Sequence, residues 1–246
     1  MHDYAMLADG DRVLVAVSGG VDSLVMLRIL QLWQAKAPID YQLLAAHVDM
    51  EAGEQNVGEA AHTVADTLAD TLAAWGVKLD ILPALWRPDA QAVGEARAAQ
   101  SGHDLCFRCA RSRRTQLFEH ARTLDCNKIA LGHHRDDIIE TFLLNLTCAG
   151  NISTMSPRQN LFDGRLTLIR PLSYLDKQDI EQVGREAGIE PIRSACPLSE
   201  HTRRGEIHEL AEHIYHRIPG SRERIFAALG NVRHSYLLKQ TGGRRP

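Results

Sequence analysis

The sequence lacks the features that would mark a membrane, secreted or nucleic-acid-coating protein. No apolar run approaches the roughly 20 residues that span a bilayer, and Met1–Asp11 lacks the basic and apolar regions of a signal peptide. The net charge of −3 gives no overall basic excess. Local clusters, such as Arg108, Arg111, Arg113 and Arg114, still allow RNA binding. We therefore expect a cytoplasmic protein without a membrane partner.

The five cysteines do not form a pattern typical of a disulfide-bonded protein. An odd number, without a signal peptide, argues against a disulfide framework. Cys106 and Cys109 instead form a C-x-x-C pair, which in a reducing compartment indicates metal binding or redox chemistry. Cys126 and Cys148 lack such spacing and are interpreted as buried or neutral thiols. Cys196 stands alone far downstream.

Strand-like and helix-like patterns alternate along the chain. Short β-branched or apolar runs predict five strands, at Arg12–Val17, Tyr41–Val48, Val77–Leu82, Lys128–Leu131 and Leu166–Ile169. Longer apolar-periodic stretches between them, such as Ser23–Leu32 and Val57–Trp75, predict helices. Strands separated by helices indicate βαβ units. The predicted fold is therefore α/β, with a doubly wound and mostly parallel sheet.

The remaining segments indicate how the chain is divided. Pro83–Asp104 shows no strand period, so we expect a surface excursion there, and Pro157–Gly164 is predicted to be a loop. A chain of 246 residues is long enough for one α/β domain and a modest appendage. We expect a domain over residues 1–205 that carries the cysteines, and a C-terminal helical extension with a frayed tail over residues 206–246.

A glycine-rich segment follows the first predicted strand and opens the first predicted helix. It consists of Ser18, Gly19, Gly20, Val21, Asp22 and Ser23. Two glycines let the backbone turn sharply and present successive N–H groups to an anion, and the helix N-terminus adds its positive dipole end. The serines can donate hydroxyls, and the aspartate can order the loop or hold Mg²⁺ through water. The G-K-[ST] ending of a Walker loop is absent, which argues against a γ-phosphate-cleaving P-loop ATPase.

This segment resembles the signature of the PP-loop ATP pyrophosphatases, a family built on an adenine nucleotide α-hydrolase-like fold. The resemblance implies that the chain binds ATP with Mg²⁺ and adenylates an oxygen of its substrate. Pyrophosphate leaves in that step, and a nucleophile then displaces AMP. The ATP would lie over Ser18–Ser23, with its adenine near Ala46, His47 and Val48 at the end of the second predicted strand.

A second motif follows the fourth predicted strand. Gly132–Thr141 reads GHHRDDIIET, and its acids fall in the opening turns of a predicted helix. Acids there stabilise the helix dipole without further function, but two histidines at the carboxyl end of a parallel strand favour a ligand site. The run resembles the GHHxDDxxET motif of PP-loop enzymes that modify tRNA, and Ile169–Leu172 resembles their RPL segment. The resemblance implies that Asp137, with the loop aspartate and Mg²⁺, stabilises phosphate charge, and that Gly132 and Arg170 contact the nucleotide.

Three chemistries fit a C-x-x-C pair with one remote cysteine. Zinc in a structural site normally takes four protein ligands, and a second C-x-x-C is absent from the sequence. A dithiol could carry a persulfide and resolve it as a disulfide. Three thiolates could hold an iron–sulfur cluster with one iron open to hydrosulfide. The spacing of Cys106 and Cys109 alone does not decide among these chemistries.

The order of the motifs resembles that of the tRNA 2-thiocytidine synthetases and their thiouridine relatives. Over residues 10–205, the resemblance implies a [4Fe–4S] cluster on Cys106, Cys109 and Cys196, with the open iron carrying the sulfur to be transferred. The sequence departs from the pattern at Val21, where 2-thiocytidine enzymes usually have lysine in SGGKDS. Its final motif, Cys196-Pro197-Leu198-Ser199, is not a second C-x-x-C and is closer to a variant seen among 2-thiouridine enzymes. The identity of the target base is therefore left open.

The implied function is that of an ATP-dependent sulfurtransferase that replaces a base carbonyl oxygen, of cytidine or uridine in tRNA, with sulfur. Expected partners are tRNA, a sulfur donor (a cysteine desulfurase or free sulfide) and a second copy of the chain in a homodimer. Three alternatives stay open. A nitrogen nucleophile would make the protein a PP-loop ligase with structural cysteines. A small metabolite could replace RNA as substrate. An iron–sulfur sensor would bind ATP without RNA-dependent release of pyrophosphate.

Overall fold

The computed structural model describes residues 1–50, 64–98, 103–192 and 203–238. In these ranges the strands are β1 (Asp11–Ala16), β2 (Tyr41–Asp49), β3 (Leu79–Pro83), β4 (Lys128–Ala130), β5 (Arg158–Leu161) and β6 (Leu166–Ile169). The α-helices are α1 (Val21–Gln34), α2 (Val64–Ala74), α3 (Ala90–Ala98), α4 (His103–Thr123), α5 (Arg135–Cys148), α6 (Lys177–Glu186), α7 (Arg203–Arg217) and α8 (Ser221–Gly230). None of the helices in these ranges is both long and apolar enough to cross a bilayer.

The strands form one six-stranded sheet in the order β3-β2-β1-β4-β6-β5. All neighbours are parallel except β5, which runs antiparallel to β6 at one edge. The chain proceeds outward from β1 through β2 to β3 and then returns to place β4 on the other side of β1. In such a sheet the ligand-binding switch point lies between β1 and β4, at their carboxyl ends. The predicted doubly wound α/β fold is confirmed.

Both faces of the sheet are buried, as expected for a parallel sheet covered by helices. Because side chains alternate along a strand, Val13 and Val15 of β1 pack into the core that contains α1, α2 and α6. Leu14 points the other way, into a core with Ala121 of α4 and Ile129 of β4. Strand β1 is therefore held from both sides, and its carboxyl end is a rigid support for the glycine-rich segment.

Two segments that lack a strand pattern contain regular structure. Pro157–Gly164, predicted to be a loop, contains β5, and that prediction is wrong. Three of the four residues of β5 are polar and exposed, so the segment shows no apolar alternation. Only its pairing with β6 makes the segment a strand. The excursion predicted over Pro83–Asp104 contains the alanine-rich helix α3. Of the helix predicted over Val57–Trp75, the part from Val64 is present as α2, and residues 57–63 lie outside the described residues.

Helices α7 and α8 pack against α5. Ile207 and Ala211 of α7 are buried together with Ile139 and Leu143 of α5. The helical character predicted for the C-terminal region is present, and the boundary proposed between residues 205 and 206 falls inside α7. The division of the chain into two units stays a prediction.

Candidate active site

A cleft of about 370 Å³ opens at the carboxyl ends of β1, β2 and β4, at the switch point of the sheet. The segments that follow these strands form its floor, and one side of α4 forms a wall. The predicted ligand-binding residues that line it are Ser18, Asp22, Ser23, Ala46, His47, Val48, Gly132 and Asp137. Residues predicted from separate motifs therefore meet in one place.

Ser23 holds the phosphate loop closed. Its Oγ accepts hydrogen bonds from the backbone N–H of Ser18 at 3.1 Å and from the Ser18 hydroxyl at 3.3 Å, and it donates to the Gly20 carbonyl at 2.9 Å. Helix α1 begins at the residue after Gly20, Val21. The turn therefore presents the N–H groups of the first turn of α1 to the cleft, a geometry that binds phosphate.

Two glycines permit the close approaches around this loop. Gly19 has a φ of +89°, and a Cβ there would also lie 3.3 Å from the carbonyl oxygen of Ile192. A Cβ on Gly132 would lie 3.1 Å from the backbone nitrogen of Ser23 and 3.2 Å from the carbonyl carbon of Asp22. Gly132 therefore allows the segment after β4 to touch the first turn of α1, so that the two motifs are in direct contact.

His47 fixes the end of β2 against the loop. Its ring is buried, and its Nδ1 lies 2.8 Å from the carbonyl oxygen of Val17. Since a carbonyl can only accept a hydrogen bond, Nδ1 carries the proton. The N–H of Val17 donates to the carbonyl of Ala46 at 2.9 Å. The residues predicted to lie near the adenine therefore border the phosphate loop.

The adjacent aspartates of the second motif face different parts of the molecule. Asp137 lines the cleft, and its Oδ2 accepts a hydrogen bond from the backbone N–H of His134 at 2.9 Å, as in a capping box at the start of α5. Asp136 is buried; its Oδ2 accepts a hydrogen bond from the N–H of Lys177 at 2.9 Å, and its Oδ1 lies 3.1 Å from Nε of Arg222. Asp137 thus faces the ligand cleft, whereas Asp136 joins α5 to α6 and α8.

His133 and Arg170 stand next to Asp137. His133 lines the cleft, and Arg170, which is 4% exposed, donates from Nε to His133 Nδ1 at 3.3 Å. Burial lowers the pKa of His133 to about 4, which Asp137 opposes and Arg170 reinforces. Burial also lowers the pKa of Arg170 to about 10, so the guanidinium remains charged at neutral pH. Arg170, predicted to contact the nucleotide, therefore supports a neutral His133 and is not among the described residues that line the cleft.

The C-x-x-C pair lies on the helix that forms a wall of the cleft. Cys106 and Cys109 are in the opening turns of α4, and both are partly buried. Ala110 and Arg113 of α4 line the cleft. Cys106, Ala110 and Arg113 follow one another at i, i+4 and i+7, so the cysteine face continues the cleft-lining face of the helix. Cys196, the third predicted ligand, lies outside the described residues.

The other two cysteines differ from each other. Cys126 is buried, and burial raises the pKa of its thiol, so it is the neutral thiol that was predicted. Cys148 is not a buried thiol, because the last turn of α5 leaves it exposed. Its contacts with the Thr147 hydroxyl and the Arg203 guanidinium lower the pKa of the thiol.

Lys177 is a residue of the site that the sequence patterns did not indicate. Its Nζ lies 2.7 and 2.9 Å from the two carboxylate oxygens of Asp22. A capping box between Asp176 and Asp179 marks the start of α6 in the sequence. That pattern predicts a helix N-terminus, but not that the first side chain reaches a loop 155 residues earlier.

Glu140 of the second motif also has a partner from outside it. His208 of α7 places its Nδ1 2.7 Å from Oε1 of Glu140. The hydrogen bond to Glu140 raises the pKa of His208, while burial raises the pKa of Glu140. This pair joins α7 to α5 close to Asp137.

Comparison with known sequences places the chain in a family. Residues 2–209 match the model of the PP-loop domain family. The tRNA-cytidine(32) 2-sulfurtransferase of Cupriavidus necator is 36% identical over 237 residues, which cover 96% of this chain and 71% of that protein. The protein of the same name from Pelobacter propionicus is 35% identical over 240 residues, which cover 97% of this chain and 84% of that protein.

Solved structures share the fold. The U34-tRNA thiolase from Methanococcus maripaludis, solved with its [4Fe-4S] cluster, has a TM-score of 0.65 at 20% identity, over 92% of this chain and 72% of that one. The NAD+ synthetase from Burkholderia pseudomallei has a TM-score of 0.50 at 16% identity, over 92% and 83%. These likenesses confirm the predicted adenine nucleotide α-hydrolase-like architecture. Together with the sequence matches, they show that the chain belongs to the PP-loop family, in its group of tRNA-cytidine(32) 2-sulfurtransferases.

Proposed function

We propose that the protein is an ATP-dependent sulfurtransferase that replaces the 2-oxygen of cytidine 32 in tRNA with sulfur. The names of the relatives supply the substrate class. One structural observation carries the proposal: the phosphate loop, Asp137 and the wall formed by the cysteine-bearing helix α4 all border the same cleft. A base held there is within reach of both an activating nucleotide and a sulfur donor.

The first step activates the base. With ATP over Ser18–Ser23, O2 of the cytosine attacks the α-phosphorus, and the bond from that phosphorus to the α,β-bridging oxygen breaks. Pyrophosphate leaves with the bridging oxygen and its electron pair. The N–H groups at the start of α1 stabilise the negative charge. Asp22 and Asp137 both line the cleft and offer carboxylate oxygens, which suit an Mg²⁺ ion that is otherwise held by phosphates and water.

The second step replaces the activated oxygen. A hydrosulfide anion, from free sulfide or a cysteine desulfurase, attacks C2 of the base and loses its proton to solvent, and AMP leaves with the former O2. Arg113 and Arg114 line the cleft, about one turn along α4 from Cys109. Their guanidinium groups are suited to bind the phosphate of the departing AMP.

The thiol donors of α4 fit an iron–sulfur cluster. Thiolates are the usual ligands of such clusters, and Cys106 and Cys109 lie one helical turn apart on the face that leads into the cleft. Cys196 would supply the third thiolate. In the part of the chain that the structure describes, no group of three or more His, Cys, Asp or Glu side chains is placed to hold a metal ion. If bound there, a cluster would supply an iron that can hold the sulfur to be transferred.

The arginines of α4 suit an RNA backbone. Arg108, Arg111, Arg113 and Arg114 are all exposed along this helix. Arg108 stacks over the ring of Trp86, with its guanidinium carbon 4.6 Å from the ring centroid. Although the net charge of the chain is −3, two of these arginines, Arg113 and Arg114, line the cleft. This local basic cluster favours RNA over a small metabolite as the substrate.

The test is a thiolation assay on the anaerobically purified holoprotein. Unmodified tRNA is incubated with ATP, Mg²⁺ and sulfide, and the digested nucleosides are analysed by mass spectrometry while pyrophosphate is measured. We expect 2-thiocytidine to form only with ATP, and pyrophosphate release to depend on tRNA. A tRNA with uridine at position 32 should yield no 2-thiocytidine. Release of pyrophosphate that requires an amine and leaves the tRNA without sulfur would show a ligase instead.

The cysteine assignment is tested with single alanine variants. Cys106→Ala, Cys109→Ala and Cys196→Ala should each abolish thiolation and lower the bound iron. The affinity for an ATP analogue should be kept, because neither Cys106 nor Cys109 is among the described residues that line the cleft. Cys148→Ala is the matched control, since its thiol is exposed at the end of α5. Full thiolation by the Cys196→Ala protein would contradict a three-cysteine cluster.

A further inference from the structure

A lysine from outside the phosphate loop contacts the loop aspartate. The Nζ of Lys177, the first residue of α6, lies 2.7 and 2.9 Å from the two carboxylate oxygens of Asp22. The side chains are 39% and 29% exposed, so a ligand in the cleft can reach the pair. Since Asp22 itself lines the cleft, the ammonium stands at the edge of the site.

Helix α6 contacts both helices that carry the motifs, α5 at its start and α1 near its end. The backbone N–H of Lys177 donates to Oδ2 of Asp136 on α5 at 2.9 Å, and Arg135 is 3.1 Å from Asp176. On the other side, α6 packs so tightly on α1 that a Cβ on Gly184 would lie 2.7 Å from Cγ2 of Val21. The packing of α6 against α5 and α1 therefore places Lys177 next to the loop.

The loop contains no cation of its own. Residues 17–25 include neither lysine nor arginine. The side chain of Val21 packs against Gly184. Gly184 and Lys177 are seven residues apart, which places them on the same face of α6, two turns from each other. The helix that contacts Val21 therefore brings a lysine to the same loop.

We propose that Lys177 is the phosphate-binding lysine of this site and supplies the cation that the loop itself lacks. It binds the polyphosphate end of ATP and stabilises the charge on pyrophosphate as this group leaves. Its flexible four-carbon stem lets the ammonium move from Asp22 to a phosphate oxygen, which frees the carboxylate of Asp22 for Mg²⁺. This inference rests on the proposed function, because it requires ATP as the ligand of the loop.

The experiment compares two nucleotides by calorimetry on the full-length protein. The Lys177→Met variant removes the charge and keeps most of the side-chain length. We expect its affinity for the magnesium complex of α,β-methylene-ATP to fall by about tenfold or more, the effect of losing one charge-assisted hydrogen bond. The affinity for AMP, which lacks the polyphosphate end, should change far less. Lys177→Arg should retain most of the affinity for the triphosphate analogue.

The control is Lys78→Met, the same change at a lysine whose side chain is 91% exposed and lies near Asp80 on β3. It should bind both nucleotides as the unaltered protein does. Equal affinity of Lys177→Met and the unaltered protein for the triphosphate analogue would overturn the inference alone. An equal loss of affinity for both nucleotides would also overturn it, because Lys177 would then only stabilise the packing of α6 against α1. If the unaltered protein bound neither nucleotide, the proposed function would fail as well.

Discussion

At the scale of single residues, His133 is an uncharged side chain among charged ones. It lines the cleft beside Asp137 and accepts a hydrogen bond from Arg170. Burial and the neighbouring arginines lower its pKa to about 4. We expect the ring signals of His133 in an NMR titration, assigned with the His133→Gln variant, to show an apparent pKa near this value. A titration near 6.5, the ordinary value for histidine, would contradict the buried, arginine-flanked position.

The lowered pKa of His133 also makes the stability of the protein depend on pH. Because the folded protein binds the proton of His133 less readily than the unfolded chain, the unfolded state takes up more protons between pH 6.5 and about 4. This contribution of His133 to the free energy of unfolding is therefore complete above pH 6.5 and is lost as the pH falls towards 4, by at most about 3 kcal/mol. Urea unfolding at several pH values should show a smaller acid loss for His133→Gln than for the unaltered protein.

Gly132 offers a second test at this scale. In Gly132→Ala, the new Cβ would meet the backbone of Ser23 and Asp22 at 3.1–3.2 Å, and backbone cannot rotate away. We expect a loss of about 1–3 kcal/mol in the free energy of unfolding, as for other overpacked sites, and weaker binding of an ATP analogue because the start of α1 is displaced. Urea unfolding and calorimetry measure the two effects.

The matched control for Gly132→Ala is Gly94→Ala in α3. A Cβ on Gly94 meets no atom within 4 Å, and alanine is a better helix former than glycine, so stability should be unchanged or rise by up to about 1 kcal/mol. If Gly132→Ala behaved like this control in both measurements, the close contact between the two motifs would not matter to the site.

The sequence predicts site residues well where they come soon after the end of a strand along the chain. Ser18, Asp22 and Asp137 follow strands directly, and the topology of a parallel sheet brings such positions to one edge. Lys177 could not be predicted in this way, since its role depends on how α6 packs against Val21. The contact of Arg170 with the nucleotide, implied by resemblance, stays a prediction; its contact with His133 is one that the motif did not indicate.

At the scale of elements, a buried ion pair joins the starts of β1 and β4. Nζ of Lys128 lies 2.8 Å from Oδ2 of Asp11, with side chains only 7% and 5% exposed. The ammonium also donates to the carbonyl of Met6 at 2.7 Å, and the side chain of Asn127 donates to Oδ1 of Asp11 at 2.8 Å. The pair lies at the amino ends of the strands, opposite the cleft, so its role is to stabilise the sheet.

We expect Lys128→Met to lower the free energy of unfolding by about 3–5 kcal/mol, because it leaves the carboxylate of Asp11 buried without its cation. Adding Asp11→Asn should recover much of this loss, since the buried charge is then gone. Urea unfolding of the single and double variants gives the comparison. If the single and the double variant lost the same free energy of unfolding, the buried charge of Asp11 would not be the cause of the loss. Lys78→Met, in an exposed pair 3.7 Å from Asp80, should show no measurable change.

Elements with an apolar pattern could be predicted from the sequence, whereas edge elements could not. β1, β2 and β6 are buried and rich in Val, Leu and Ile, so their positions follow from composition alone. β5 is polar because it lies at the sheet edge, and only its backbone pairing with β6 defines it. The position of such a strand depends on a neighbour that the local sequence does not specify.

At the scale of the whole molecule, α7 and α8 are joined to α5, the helix that carries Asp137. Three kinds of contact make the connection: the apolar core around Ile207, the pair of Glu140 with His208, and the pair of Asp136 with Arg222. The mostly polar composition of this helical region predicts an appendage. Because of these contacts, we expect the α/β layers and the C-terminal helices to unfold together, whereas an independent appendage would unfold in a step of its own.

Ile207→Ala tests this cooperativity. Ile207 is 6% exposed against Ile139 and Leu143, and such a truncation should cost about 2–5 kcal/mol. The three tryptophans, Trp33, Trp75 and Trp86, all precede residue 205, so their fluorescence reports the α/β layers, while circular dichroism reports all helices. In one cooperative unit, Ile207→Ala lowers the urea midpoints of both probes equally.

The control is Leu210→Ala on the same helix, whose side chain is 40% exposed and should cost much less because little apolar contact is lost. If Ile207→Ala left the tryptophan midpoint unchanged and produced a separate early loss of helical signal, the C-terminal helices would unfold as a unit of their own. Equal shifts of both probes would mean that the position of Asp137 depends on α7, because the core that holds α5 in place would then be part of the same folding transition.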